Sequence, residues 1–369
     1  MEGVAVNTLV LDKIQRVIRR KAGAIVGGTL YSVDNTLAAM ALRPFELHLE
    51  LTNICNANCI FCPYQYQERA TGFMSDQVFE KAVNDYVNIN GGSIGLTPIV
   101  GDALIDPKFL DRVEYLRGLP EIDRIFLTTN AILLDKHGIR EVLTSGLTSI
   151  MISTSGFDRE SYQRIYRSPA YERMKANVTQ LVEENERLGA PVHISICLRT
   201  DRPLDQVMRD PDFQPILRHK PTIDFAWSYR SVGGRITREM LPEKMQFRNV
   251  PAKKEPCGSL YNGAMVLIDG TVVACACIAA MDAVPDLRIG NILENDLLEI
   301  YASEAMRGLR DQFRPGGALN ATCAACDAYQ DCELYRTKEG RIRADLNKKR
   351  SEGTVCKRTD KAKVPFAGG

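Results

Sequence analysis

The sequence predicts an α/β protein: a partial (β/α)6 barrel followed by a smaller, cysteine-rich domain. Three observations carry that expectation. Short strand-like runs alternate with longer helix-like ones from Phe45 to Tyr229, the pattern of parallel strands joined by right-handed crossovers. The strand candidates number six, short of the eight that close a barrel. After about Pro251 the alternation stops, Pro and Gly rise, and seven cysteines appear from Cys257 to Cys356.

Taken in order, residues 1–44 are expected to form an N-terminal helical extension. The opening "MEGVAVNTLVLDKIQRVIRRKAG" reads as a short amphipathic helix, too charged for a signal peptide. Residues 45–235 form the barrel, with strands in "FELHLELT", "GSIGLTPIV", "DRIFLTTN", "LTSIMISTS", "PVHISICLR" and "TIDFAWSYR". Helices are expected over Ser75–Asn90, Pro107–Arg117 and Arg159–Leu188. In the first strand Glu46, His48, Glu50 and Thr52 share one face and Phe45, Leu47, Leu49 and Leu51 the other. In the fifth, His193, Ser195, Cys197 and Arg199 oppose Val192, Ile194, Ile196 and Leu198. A side-chain period of two then turns apolar groups to the helices and polar groups inward. The interior becomes a polar cavity whose mouth lies at the C-terminal ends of the strands. Residues 236–369 form the cysteine-rich domain and a basic, solvated tail.

A formal charge of +1 gives no basis for a nucleic-acid partner. No apolar run approaches the roughly 20 residues that span a bilayer. A cytoplasmic location is expected, and eleven cysteines there point to metal ligation rather than disulfides.

Directly after the first strand comes "LTNICNANCIFCPY", in which Cys55, Cys59 and Cys62 are spaced C-x3-C-x2-C. Thiolates are soft ligands for zinc or iron–sulfur clusters. A structural zinc site is normally closed by four ligands, whereas a cluster on three cysteines leaves one iron open.

"CNANCIFC", with an aromatic Phe61 before the third cysteine, resembles the signature of radical S-adenosylmethionine (SAM) enzymes. The resemblance implies a [4Fe–4S] cluster on Cys55, Cys59 and Cys62 whose open iron chelates SAM. One electron then yields a 5′-deoxyadenosyl radical that abstracts hydrogen from a substrate. It further implies SAM contacts at Val100, Gly101 and Asp102 in "PIVGDALIDP", a GGE-like element with Asp in place of Glu. Asn130 in "FLTTNA" and Ser153 and Ser155 in "ISTSGFDRESYQRI" match further elements of the family. Arg199, inward on the fifth strand, is a candidate partner of the SAM carboxylate. For Ser153, Ser155 and Arg199 an ordinary barrel-lining role stands beside the functional one.

The C-terminal cysteines resemble the auxiliary-cluster domain of the SPASM subfamily. Cys257, Gly270 and Cys275 give C-x12-G-x4-C, with "IDG" a tight hairpin turn that brings Cys275 toward Cys257. Cys323, Cys326 and Cys332 give C-x2-C-x5-C, and Arg336 stands where the family has a fourth cysteine. The resemblance implies one or two auxiliary [4Fe–4S] clusters. The outer would use Cys323, Cys326, Cys332 and Cys356, and the nearer, on Cys257 and Cys275, is then one ligand short. Cys277, two residues on along an extended strand and on the same face, is a candidate third ligand, with a fourth site open or filled by a non-cysteine group. Cys197 reads either as a small buried hydrophobe or as a thiol that returns hydrogen to a substrate radical in an epimerase.

The expected function is hydrogen abstraction from a small hydroxylated, sugar- or cyclitol-like substrate, leading to oxidation or epimerisation. An electron donor such as flavodoxin or ferredoxin is implied, and no membrane or nucleic acid. The short segment before Phe45 favours the small substrate over the alternative, a maturase of ribosomally made peptides. A non-catalytic iron–sulfur electron carrier is the third reading.

Overall fold

The computed structural model describes residues 32–96, 100–226, 228–275 and 285–354. The amphipathic helix expected at the N-terminus, Cys277 and Cys356 lie outside them. The described chain starts with helix α1 (Val33–Met40), followed by β1 (Glu46–Leu49), α2 (Asp76–Asn88), β2 (Gly92–Leu96), α3 (Phe109–Gly118) and β3 (Ile122–Thr129). Next come α4 (Ile139–Thr144), β4 (Ser149–Thr154), α5 (Arg159–Tyr166), α6 (Tyr171–Arg187), β5 (His193–Leu198) and β6 (Thr222–Phe225). These six strands are all parallel and lie in sequence order. That is the expected partial barrel.

The alternation read from the sequence holds. Leu47 and Leu49 of β1 are fully buried against the helices while Glu46 and His48 are half-buried on the inner face. In β5, Ile194, Ile196 and Leu198 are buried, and His193, Ser195 and Cys197 are half-buried. Serine and aspartate start the helices: Ser75 Oγ accepts from Val78 N at 3.2 Å and Asp158 Oδ1 from Ser161 N at 2.9 Å. Such caps satisfy donors that the first turn leaves open.

Two features depart from the sequence reading. The helix expected over Arg159–Leu188 is two helices, because Arg167 adopts a left-handed backbone (φ 48°) ahead of Ser168 and Pro169. Proline lacks an N–H and disfavours helical geometry in the residue before it. The second is the route of the cysteine-rich domain, whose first strand joins the barrel sheet. Strand β7 (Gly263–Val266) pairs in parallel with β1, Glu46 opposite Gly263, and leads into an antiparallel meander with β8 (Thr271–Val273) and β9 (Arg288–Asn291). The sheet order is β6-β5-β4-β3-β2-β1-β7-β8-β9. Any side chain at Gly263 would put its Cβ 2.3 Å from the Glu46 carbonyl oxygen.

Behind the sheet, helix α7 (Lys338–Ser351) returns to pack on α1. Asn347, fully buried, donates to the carbonyls of Ala39 (3.0 Å) and Arg43 (3.1 Å) and accepts from Arg43 Nη1 (3.0 Å). Arg350 pairs with Asp123 of β3. Both termini of the described chain are thereby tied to the end of the sheet opposite the mouth.

Candidate functional site

The loop after β1 is fixed before its first cysteine. Thr52 Oγ1 donates to Gly72 O (2.7 Å), and the Asn53 side chain bonds Gly72 N and Ala70 O (both 2.9 Å). Farther on, Asn58 N donates to Tyr166 O (3.2 Å) and Ile60 N to Ile165 O (2.9 Å). Those carbonyls are available because α5 ends at Tyr166, leaving the acceptors of its last turn open. The broken helix thus supplies the anchor of the cysteine loop, with Cys62 N closing a turn on Cys59 O at 3.0 Å.

Cys59 is buried and Cys55 and Cys62 are half-buried. Burial raises all three thiol pKa values, that of Cys55 to about 12. Asp102 and Cys62 push Cys55 the same way, and Cys55 and Cys62 both act on Cys59. Three crowded thiols in a dry loop favour deprotonation only with a positive group among them, as a metal cluster provides. Among the described residues no three His, Cys, Asp or Glu side chains close around a single ion.

The turn after β2 packs on this loop. Asp102 N donates to Ile54 O at 2.9 Å. Gly101 has φ +103°, and a Cβ there would lie 2.5 Å from Thr52 O; only glycine fits without displacing backbone. The buried Asp102 carboxylate accepts from Thr129 Oγ1 (2.8 Å), Asn130 N (2.8 Å) and Leu104 N (3.1 Å). Its burial raises the carboxyl pKa and these bonds oppose the rise. Asn130 Nδ2 in turn donates to Asn56 Oδ1 (2.7 Å) and faces Cys55 Sγ at 3.8 Å. Val100 is buried behind the turn.

On the other side, Arg199 Nε donates to Ser153 Oγ (3.0 Å), which shares a 2.8 Å hydrogen bond with the Tyr166 hydroxyl. The guanidinium lies 5.3 Å from the Phe61 ring centroid. Phe61 also packs against Tyr166 and Tyr229, at 5.5 and 5.7 Å between centroids. In the parallel register Ser153, Cys197 and Asp224 form one row across β4, β5 and β6. Ser155 is fully buried with no hydrogen-bond partner for its hydroxyl. Tyr166, Tyr229 and Asp224 were not among the candidates; the Ser168-Pro169 break was the signal for Tyr166, and nothing local marked the others.

A cleft open to solvent lies in the cysteine-rich domain. Cys257, Cys275, Cys323 and Cys326 line it together. The β7–β8 hairpin brings Cys275 toward Cys257 as expected. Asn320 caps the short helix Ala321–Ala325, its Oδ1 accepting from Cys323 N at 2.7 Å, and so sets Cys323 and Cys326 on the same cavity. The sequence reading placed these four cysteines in two ligand sets; Cys277 and Cys356, which belong to those sets, lie outside the described residues. Cys332 is outside the cavity wall and nearly inaccessible, its thiol donating to Pro256 O at 3.2 Å. Arg336 does not line the cavity either; it forms a two-point ion pair with Glu255 at 2.9 and 2.6 Å.

Comparison with known proteins finds a family model over each of these two regions. Residues 49–207 match the family model of the Radical SAM superfamily, and residues 257–327 that of SPASM, an iron-sulfur cluster-binding domain. The chain carries a Radical SAM domain and a SPASM domain. These domains imply SAM and [4Fe–4S] clusters as cofactors.

Among curated relatives, the chain is 30% identical over 142 residues to a probable GTP 3′,8-cyclase of Methanothermobacter thermautotrophicus, covering 38% of this chain and 45% of that one. The GTP 3′,8-cyclase of Pasteurella multocida is 27% identical over 135 residues, 36% of this chain and 39% of the relative. The match spans less than half the length of either.

Two solved structures share the fold. Streptococcus suis SuiB bound to precursor peptide SuiA has a TM-score of 0.59 at 15% identity, over 81% of this chain and 74% of that one. BtrN in complex with AdoMet and 2-DOIA has a TM-score of 0.51 at 16% identity, over 77% of this chain and 92% of that one. Among the described residues, no helix is long and apolar enough to cross a membrane.

Proposed function

We propose that the enzyme carries its SAM-chelating cluster on Cys55, Cys59 and Cys62 and one auxiliary cluster on Cys257, Cys275, Cys323 and Cys326. Its substrate is a small hydroxylated, sugar- or cyclitol-like molecule, which it oxidises or epimerises. When bound, the cluster and SAM supply a 5′-deoxyadenosyl radical that takes hydrogen from the substrate.

The chain's own residues bind, orient and exclude water. The Gly101 backbone lies against the cysteine loop and would receive the amino group of SAM, with Val100 behind it and Asp102 and Asn130 holding the turn. Arg199, fixed by Ser153 and Phe61, would receive the carboxylate through its fork of donors. Ser155 offers a buried hydroxyl that has no partner of its own. An external donor of the flavodoxin or ferredoxin kind would supply the electron.

The observation that carries the substrate class is the row Ser153, Cys197 and Asp224 across β4, β5 and β6. The thiol of Cys197 and the exposed carboxylate of Asp224, in line with the Ser153 that holds Arg199, suit a ligand rich in hydroxyls. If the enzyme inverts a carbon, Cys197 is the candidate thiol to return hydrogen to the substrate radical.

The test is anaerobic incubation with SAM, reductant and separate panels of polyols and aminocyclitols, nucleoside triphosphates, and leader-bearing peptides. Formation of 5′-deoxyadenosine stimulated by the polyol panel is expected. Stimulation confined to nucleotides or peptides would overturn the substrate class. Undiminished SAM cleavage after Cys55, Cys59 and Cys62 are all replaced by Ala would overturn the cluster assignment.

A further inference from the structure

We infer that Lys253 is a fixed counter-charge that raises the reduction potential of the auxiliary cluster, making that cluster a better electron acceptor. The inference rests on the four-cysteine reading of the cleft in the cysteine-rich domain. Lys253 lines that cavity with Cys257, Cys275, Cys323 and Cys326. Its ammonium donates to Ala324 O at 3.0 Å and Pro251 O at 3.4 Å. It also lies 5.9 Å from the centroid of the Tyr329 ring, itself a wall of the cavity. Ala324 is between Cys323 and Cys326, so the cation is anchored on the backbone that carries two of the thiolates. Lysine is ordinarily a mobile, hydrated charge; here two carbonyls and an aromatic face hold it in place.

The other charges nearby do not cancel it. Glu255 and Arg336 neutralise each other in their two-point pair. Asp286, which accepts from Thr322 Oγ1 at 3.2 Å, is exposed on the rim, where solvent and salt screen it. Asp327 follows Cys326 but turns out of the cavity, where its carboxylate accepts from Ser231 N.

A four-iron cluster with four thiolates gains one negative charge on accepting an electron. A cation held beside it stabilises the reduced form more than the oxidised one. In a hydrogen-abstracting enzyme the electron left on an oxidised substrate radical needs such an acceptor, while the hydroxyl proton leaves to solvent or base.

The experiment is a redox titration of the reconstituted full-length protein followed by electron paramagnetic resonance. The auxiliary signal is the one that added SAM does not perturb and that a Cys257→Ala/Cys275→Ala variant lacks. Lys253→Met is expected to shift its midpoint to more negative potential and Lys253→Arg to leave it near wild type, with the SAM-sensitive signal unmoved in both. An unchanged midpoint in Lys253→Met would overturn the inference while leaving the cluster assignment intact. Absence of any auxiliary signal from the wild type would overturn the four-cysteine reading and the inference with it. Because the signal reports only loaded protein, poorer loading of Lys253→Met still gives a decisive midpoint.

Discussion

Gly101 and Arg199 act on opposite sides of the cysteine loop, and each fails in its own way. At Gly101 the left-handed backbone and the 2.5 Å approach to Thr52 O leave no room for a methyl group. Gly101→Ala therefore costs on the order of 2 kcal/mol. The strain falls on the loop that holds Cys55, so the variant should load its auxiliary cluster normally yet lose SAM-dependent spectral change. Normal SAM binding by Gly101→Ala would refute that coupling. Arg199 has the opposite character: its guanidinium is ordered before any ligand arrives, by Ser153 and Phe61. Arg199→Lys keeps the charge and loses the fork, which predicts a loss of about 2 kcal/mol, roughly 30-fold in the Kd for SAM. Equilibrium binding to the reconstituted protein checks it, and an unchanged Kd would return Arg199 to a barrel-lining role.

Helix α7 secures the far end of the sheet rather than the mouth. Asn347 serves the carbonyls of α1 and accepts from Arg43, with no solvent to replace those bonds. Asn347→Ala is expected to lower unfolding stability by about 3 kcal/mol, since it strands buried partners. SAM cleavage measured well below the transition should be unchanged, and a variant as stable as wild type would show that α7 is not a clamp. This element also marks where the sequence stops being legible. The six parallel strands were readable because alternation and turn residues are local signals. The pairing of β7 with β1 joins Glu46 to Gly263, and α7 meets α1 through Arg43 and Asn347. Neither contact leaves a trace in spacing or periodicity. The split between α5 and α6 was visible in Ser168-Pro169, but the amphipathic pattern running through it reads as a single helix. Its consequence, two free carbonyls that hold the cysteine loop, appears only in three dimensions.

Across the whole molecule, the two cysteine sets differ in how far local spacing predicts grouping. Cys55, Cys59 and Cys62 lie on one loop, so their spacing marked them as a group. The C-terminal set mixes a hairpin with a distant capped helix, and spacing divided Cys257 and Cys275 from the Cys323 and Cys326 that share their cavity. The iron content distinguishes the two groupings. One SAM-chelating and one auxiliary four-iron cluster give about eight irons per chain, against about 12 if a second auxiliary cluster assembles. Replacing Cys55, Cys59 and Cys62 by Ala should remove about four irons, and so should Cys257→Ala/Cys275→Ala. The deciding variant is Cys332→Ala. Its thiol donates to Pro256 O beside the Glu255–Arg336 pair and does not line the cavity, so its loss should leave both the iron count and the auxiliary signal as in wild type. A loss of about four irons from Cys332→Ala alone, with the Cys257 and Cys275 signal retained, would establish a second auxiliary cluster and restore the division read from the sequence.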